Sequence, residues 1–503
     1  MSPMLKRLRF LFAFLLGSAW FSLFQIWGAF PDPDAFFHAK FSGWMFEHGL
    51  PLSFPWLDLT ALHPGFHDQH LLFHVFLLPF VKLFGTLPGA QIAAVVLGGV
   101  FAVVAMFVFE RLSMKPAWFW TAVLVALPPM MMRLSLGKAS PLAIGLFLLG
   151  IDALVKRRPF WAFIVGIIYA LTHGGWSVLL GAQVVLIAGS WIYSRFIDGK
   201  IERIELGVLF ATAGGCLLGT FAHPHFPDNL SYLWVQIFQI GVATPIGRVF
   251  MGSEWYPYRP LELAVHFSLI GFLGCLLIVG FVVARKAELG RLQARLSIGL
   301  GLLAAILVAM TFKSARFVEY LAPVVVLWMA SLFSQIDVGK LVDALRKRFR
   351  FAPHVLVVLM IFIVGKGAFA ARASLEGSAK PFERFGKAME VVSQEVKNGE
   401  RLFHSDWSQF PLLWSKNDRI RYVAGLDPVF LLQKNPEVSD AYTALTIGAN
   451  TSTAYETIRE LFGANIAFVE RPRAQKLEEI LRKDERFLLI YEDEEVAVFR
   501  LVE

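Results

Sequence analysis

The sequence predicts a polytopic α-helical membrane protein closed by a small soluble α/β domain. Three observations carry that expectation. Hydrophobic residues make up 56% of the 503 residues and charged residues only 17%, a balance too apolar for a soluble globule to cover. The apolar residues are gathered in runs of roughly the length that crosses about 30 Å of hydrocarbon. From about residue 372 the pattern changes, and amphipathic stretches such as FERFGKAMEVVSQEVKNG alternate with short β-rich runs such as ANIAFVE and RFLLIY.

Runs near 8–30, 88–109, 116–133, 139–155, 159–172, 175–195, 205–222, 262–284, 295–312, 319–335 and 352–371 give about eleven spans. The first, KRLRFLFAFLLGSAWFSLFQIWGAF, has a basic front but no clear small-residue cleavage site, and it reads as a retained signal anchor. With the N-terminus cytoplasmic, the inner loops collect Lys6, Arg7, Arg9, Arg111, Lys115, Lys156, Arg157, Arg158, Arg195, Lys200, Arg203, Arg285, Lys286, Arg291, Arg295, Lys340, Arg346, Lys347, Arg348 and Arg350. The positive-inside rule therefore sets the orientation, and it accounts for the net charge of +8 without nucleic acid. The stretch Asp68–Gly85 reads as a helix on the outer surface, because counting it as a span would put VKRRP outside. Outer loops then cover 31–88, with two interfacial helices, and 223–261; the membrane domain is 1–371 and the extracytoplasmic domain 372–503. Cys216 and Cys275 both fall in apolar runs and form no disulfide framework.

Charges are nearly absent from the span interiors: Glu110, Asp152, Glu262 and Glu319 sit at predicted ends. An ion-coupled transporter needs ionisable groups at mid-depth, so this pattern argues against one. Polar candidates gather on the outer side instead, a placement suited to a substrate that is part lipid and part polar. Asp32 and Asp34 follow the first span directly. Pro33 suits the first position of a helix and Asp32 its N-cap, which accounts for one acid; the other reading is a general base or metal ligand just outside the membrane. His67, His70 and His74, spaced i, i+3, i+7, are either three imidazoles turned to a metal or the polar side of an interfacial helix. His173, in THGGW at an outer span end, either touches a phosphate or packs.

An outer acid after the first span, then Trp56 and Asp58 in W-x-D and His63 in His-Pro-Gly, resembles the first external loop of the class C (GT-C) glycosyltransferases, which use polyprenyl-phosphate sugars. DPDAFF is similar to the aspartate motif of the oligosaccharyltransferase catalytic subunit, while the following helix order is closer to aminoarabinose transferases and protein O-mannosyltransferases. GSEWYPYRP resembles the element that brings a glutamate to the acceptor, which maps to Glu254. KSARFVEYLAP resembles the arginine-tyrosine-proline signature of a late span, which maps to Arg316 and Tyr320. An Arg at the outer boundary suits bidentate grip on a phosphate, or it is an interfacial anchor.

Two departures qualify the resemblance. Where oligosaccharyltransferases carry a further metal-binding acidic pair, this chain has RLSLGKAS, with Arg133 and Lys138 and no carboxylate. The tail lacks the WWDYG signature, and its nearest counterpart is HSDWSQFPLLWSKNDRIRYVAGLDP. The resemblance implies an inverting transferase that moves a sugar or oligosaccharide from a polyprenyl phosphate or diphosphate to an acceptor on the extracytoplasmic side of a bacterial inner membrane. Asp32, Asp34 and Glu254 are the expected catalytic residues. Arg316, Tyr320, Lys138, Arg133, Trp56, Asp58, His63, His67 and His173 are the expected substrate-binding ones. A divalent cation, Mg or Mn, would sit on Asp32, Asp34 and Glu254 if one is used. The alternatives are a non-catalytic binder of lipid-linked glycan with the same fold, or a polyprenyl-glycan flippase.

Overall fold

A computed structural model gives the fold and describes residues 3–198, 206–243, 247–283, 291–449 and 453–502; the expected inner cations Lys200, Arg203, Arg285 and Lys286 lie outside them, as do the side chains of Lys6 and Arg7. The membrane part runs α1 (Pro3–Ser22), α2 (Asp34–His48), α3 (Leu71–Phe84), α4 (Thr86–Arg111), α5 (Ala117–Val125), α6 (Pro128–Arg133), α7 (Ser140–Val155), α8 (Pro159–Thr172) and α9 (Trp176–Tyr193). It continues through α10 (Leu206–Phe221), α11 (Asn229–Trp234), α12 (Pro260–His266), α13 (Ser268–Val283), α14 (Arg291–Lys313), α15 (Val318–Phe333), α16 (Val338–Arg348) and α17 (Ala352–Ser378). Each of the eleven apolar runs is helical. Among the described residues five helices are long and apolar enough to cross a membrane, or six if the bent pair α12–α13 is one span, and five further apolar helices are shorter.

The helices are held by the means lipid allows, since there is no hydrophobic drive between them. On α8, Gly166 lies directly on the backbone of Thr212 to Cys216 in α10, where a Cβ would not fit. Two of the acids at the ends of the runs are paired with arginines: Glu110 with Arg9 at 2.7 Å, and Asp152 with Arg111 at 2.8 Å. Helix α17 lies at the periphery, with Val355, Val358, Ile361, Phe362 and Phe369 exposed as a lipid-facing surface.

The tail folds as expected into strands and helices. Strand β1 (Ala29–Phe30) pairs antiparallel with β2 (Lys380–Pro381), tying the chain after α1 to the chain after α17. The strands β3 (Arg401–His404), β4 (Arg421–Tyr422), β5 (Ala464–Glu470), β6 (Phe487–Glu492) and β7 (Val496–Leu501) form one mixed sheet in the order β4-β3-β5-β7-β6. Five consecutive residues of β5, Ile466 to Glu470, are buried, as befits a central strand covered on both faces.

The first outer loop and the tail share one aromatic core, in which Trp56 meets Trp414 at 5.1 Å and Phe54 meets Phe410 at 5.9 Å between ring centroids. This sharing sets the position of everything described next, because the tail is seated on the loop that carries Asp32 and Asp34.

Candidate active site

A cavity of about 700 Å³ lies between the helices and the tail, and its walls include Asp32, Asp34, Arg133, Lys138, His173, Glu254 and Arg316. With His67, which also lines it, eight of the expected residues from six separate stretches of chain thus meet at one place. Helix α2 begins at Asp34, with Pro33 at its N-cap and the Asp32 Oδ1 accepting the Asp34 N–H at 2.9 Å. Asp32 therefore does cap the helix start, one position away from the simple expectation, and it also faces the cavity. Lys138 Nζ lies 2.8 Å from Oδ2 of both aspartates, so one ammonium is shared by two carboxylates. Burial disfavours the Lys138 charge, but Asp32 and Asp34 more than compensate and hold its pKa above the ordinary lysine range. Burial raises the Asp34 pKa, with Lys138 opposing and Asp32 adding to the shift.

Glu254 sits in a short turn at Ser253–Trp255, held by the Ser314 hydroxyl, which donates to the Glu254 carbonyl at 2.9 Å. Its carboxylate is gripped from two sides, by Arg133 at 2.7 Å and Arg316 at 3.1 Å. Burial would raise the Glu254 pKa, but Arg316, Arg133 and Lys138 outweigh it and hold the carboxylate well below its usual range. Arg133 also donates to Glu319 Oε2, from Nη2 at 2.7 Å and Nε at 3.0 Å. Glu319 is 1% exposed and was read from the sequence only as a span-end acid; no spacing signal links it to Arg133, 186 residues away. Arg316 keeps donors beyond its bond to Glu254, with its guanidinium 5.0 Å above the Trp255 ring.

A second cavity of about 390 Å³ shares Gln69, His173, Gln236, Trp255 and Arg316 with the first and lies along α9 and α14 between Val178, Gly181, Ala182, Val185, Leu303, Ile306 and Met310. Its lining is mostly apolar, with Gln69, His173, Ser177, Gln236, Lys313, Arg316 and Tyr320 as its polar residues. His173 Nδ1 accepts the Gly175 N–H at 2.8 Å, so its proton is on Nε2, a donor available at this junction. Gly175 is fixed by the same arrangement, since a Cβ there would collide with the Tyr320 hydroxyl. Tyr320 itself is buried, with its hydroxyl 3.3 Å from that of Tyr169.

Other expected residues go elsewhere. Trp56 Nε1 donates to the Asp418 carbonyl at 2.6 Å, Asp58 pairs with Arg401 at 2.8 Å and Arg421 at 3.0 Å, and Lys434 donates to the His63 carbonyl at 2.6 Å. None of the three lines either cavity; they fasten the loop to the tail, which corrects their placement on the substrate side. The helical histidine stripe is also corrected: α3 starts at Leu71, so His67 lies before the helix and His70 is its N-cap. His67 meets His223 and His225 instead, with ring nitrogens within 4.8 Å of one another.

Neither candidate donor set suits a metal as arranged. The space between Asp32 and Asp34 is filled by Lys138, and both Glu254 oxygens are taken by arginines. In the histidine group, His225 Nδ1 accepts the Asp68 N–H and its Nε2 bonds the Pro51 carbonyl, while His223 Nδ1 accepts the His225 N–H and its Nε2 bonds the Asp68 carbonyl. Only His67 has an unpartnered ring nitrogen there, Nδ1. A tetrahedral site needs three or four lone pairs aimed at one point.

To the cavity wall the tail adds Asp406, Trp407 and Asp427, all in the stretch HSDWSQFPLLWSKNDRIRYVAGLDP that stands nearest the missing tail signature, and Arg473, which the sequence did not single out. Asp427 caps the helix Pro428–Lys434 by accepting the Val429 N–H at 2.9 Å, and burial pushes its carboxyl up to about 7 against that bond.

No family model matches the sequence, and no curated protein matches it. Solved structures do. The archaeal oligosaccharyltransferase AglB from Archaeoglobus fulgidus, in complex with an inhibitory peptide and a dolichol-phosphate, aligns over 99% of this chain and 75% of its own, with a TM-score of 0.59 and 12% identity. ArnT from Cupriavidus metallidurans bound to undecaprenyl phosphate aligns over 99% of this chain and 98% of its own, with a TM-score of 0.56 and 14% identity. Its apo state gives a TM-score of 0.54 at 13% identity over the same shares. At such identities the likeness is one of fold, and the chain has the GT-C fold that its loops resemble.

Proposed function

We propose that this GT-C-fold protein transfers a sugar or oligosaccharide from a polyprenyl phosphate or diphosphate to an acceptor on the extracytoplasmic side of a bacterial inner membrane. The observation that carries the reading is the junction at Arg316, where an apolar groove between α9 and α14 meets a polar cavity lined by paired acids. A polyprenyl chain suits the groove. Its phosphate then falls beside Arg316 and the His173 Nε2–H, and its sugar in the larger cavity. The two solved relatives with a dolichol-phosphate and undecaprenyl phosphate lend the lipid class.

In this scheme the Asp34 Oδ1, which has no partner among the described residues, orients the acceptor nucleophile, and Asp32 with Lys138 fixes Asp34 in place. Glu254 holds Arg316 and Arg133 toward the donor. The nucleophile attacks the anomeric carbon from the face opposite the phosphate; the carbon–oxygen bond breaks with its electron pair going to the phosphate, and the configuration inverts. Arg316 stabilises the charge that appears there, an effect of the kind that contributes about 3–4 kcal/mol per preorganised donor. The topology that goes with this reading has about eleven crossings, the membrane domain 1–371 with its N-terminus in the cytoplasm, and the domain 372–503 outside.

Mass spectrometry of surface glycans in a strain lacking the protein, complemented by wild type, Asp34→Asn or Asp32→Asn, tests the reading. Product is expected with wild type and at least about a hundredfold less with Asp34→Asn, while undecaprenyl phosphate still binds the purified variant in native mass spectrometry. Full transfer by both variants would sink the assignment.

A further inference from the structure

Six of the twelve histidines, His38, His67, His74, His173, His223 and His225, are buried in one region with the half-buried His70, and His38, His67, His70 and His173 line the polar cavity. Within them runs a chain of short contacts. Asp68 Oδ2 lies 2.8 Å from His74 Nδ1, and His74 Nε2 lies 2.8 Å from His38 Nδ1. Asp68 and His74 are almost fully enclosed, with side-chain exposures of 2% and 1%. The other Asp68 oxygen accepts the His70 N–H at 2.9 Å, so the carboxylate is completely bonded.

This chain has one consistent proton arrangement while Asp68 is ionised and His74 is neutral. A carboxylate only accepts, so His74 Nδ1 carries the proton and donates it. His74 Nε2 is then a bare acceptor, and His38 Nδ1 must be the donor to it. The His38 proton is thereby used, and His38 Nε2 is left with a lone pair and no partner among the described residues. His38 lines the cavity, four residues after Asp34 and so on the same face of α2.

Resting on the transferase reading above, we infer that His38 Nε2 is the proton acceptor for the incoming nucleophile, and that Asp68 and His74 are positioning residues that fix its tautomer. As the nucleophile bonds to the anomeric carbon, its O–H or N–H proton passes to His38 Nε2, and the electron pair of that bond stays on the nucleophile. The leaving phosphate takes the electrons of the broken carbon–oxygen bond. The imidazolium so formed is stabilised through His74 by Asp68, the way a buried carboxylate supports a base through its far nitrogen. Asp34, already neutralised by Lys138, orients the nucleophile and does not keep its proton. The charged and titratable groups around His38 are Asp34 on its own helix, Asp68, His70, His74, Lys138 and His173. Burial, with those histidines and Lys138, keeps His38 neutral at rest, as a base must be.

Two measurements on the full-length protein test this. Diethyl pyrocarbonate attacks an imidazole nitrogen with a free lone pair, and peptide mapping reads it residue by residue without reference to any activity. His38 is expected to be labelled at least about tenfold faster than His74, His223 or His225, whose nitrogens are all engaged; equal protection of His38 overturns the tautomer chain. The second uses membranes of a strain lacking the protein, supplied with purified enzyme, and follows glycan product from pH 5 to 9. His38→Gln, which keeps a donor toward His74, is expected to lose about 10²–10⁴-fold in turnover with undecaprenyl phosphate binding unchanged. Asp68→Asn is expected to lose less and to move the acid limb to lower pH, since removing the carboxylate makes His38 harder to protonate. A uniform loss at every pH would mark Asp68 as structural only. Normal turnover by His38→Gln, or loss of lipid binding with it, overturns the base while leaving the transferase reading standing; absence of any product with wild type removes both.

Discussion

Lys138 is the residue on which the chemistry of the site turns. It stands between two carboxylates at 2.8 Å from each, where a divalent cation would otherwise be the obvious way to neutralise them. Removing one partner of a buried charge cluster costs about 3–5 kcal/mol, discounted here because Asp32 and Asp34 are part exposed. Lys138→Met is therefore expected to lower the melting temperature, and millimolar Mn²⁺ to restore part of it in the variant while leaving wild type unmoved, read by differential scanning fluorimetry. A wild type equally stabilised by Mn²⁺ would show that lysine does not stand in for metal. Arg316 makes a second prediction at this scale. It keeps donors beyond its bond to Glu254 at the junction, so Arg316→Ala should weaken undecaprenyl phosphate binding at least about tenfold, a charge-assisted pair being worth about 1.5–3 kcal/mol. Arg316→Lys, which lacks the planar fork, should recover only part of it.

At the scale of elements, the apolar groove is made by α9 and α14 running side by side without filling the space between them. Gly181 on α9 is exposed to that space, and a Cβ built there meets nothing. Gly181→Trp should fill the groove, keep the fold and weaken undecaprenyl phosphate binding without touching Arg316; a variant that binds normally would place the lipid elsewhere. Asp32 and Asp34 were legible because they directly follow an apolar run, where any charge is conspicuous, whereas Glu254 and Arg316 were marked by the resemblance of GSEWYPYRP and KSARFVEYLAP. The histidine chain was not, because Asp68 lies in a loop before α3 and His38 is on another helix 36 residues from His74. Helical spacing, applied across a helix start that the sequence did not mark, grouped His67 with His70 and His74 when the fold pairs it with His223 and His225.

For the whole molecule, the decisive contact is between the first outer loop and the tail. Asp58, Arg401 and Arg421 form its ion cluster, and the aromatic residues around Trp56 and Trp414 its core. Through it the tail delivers Asp427 to the cavity wall, with a carboxyl that burial raises to about 7. The sign follows directly. A carboxyl raised in the folded state favours folding fully below its unfolded value near 3.8, and that contribution is lost as pH rises through about 7. Wild type should therefore lose stability between about pH 4 and 7 at this position, and Asp427→Asn should melt higher than wild type at pH 8 but not at pH 4. The reverse order would mean that Asp427 is ionised in the fold.

Composition and run length alone determined that the chain is a helical membrane protein with an α/β tail, because burying backbone in lipid leaves no other solution for such apolar runs. The same sequence marked Asp32 and Asp34 directly after the first apolar run, since charge at a membrane edge is costly and so stands out. What the tertiary structure decided was pairing. That one lysine bridges two aspartates, that Trp56 and Asp58 hold the tail and not the substrate, and that three side chains from two helices and a loop line up a free imidazole nitrogen all depend on contacts between residues far apart in the chain. No local periodicity encodes them.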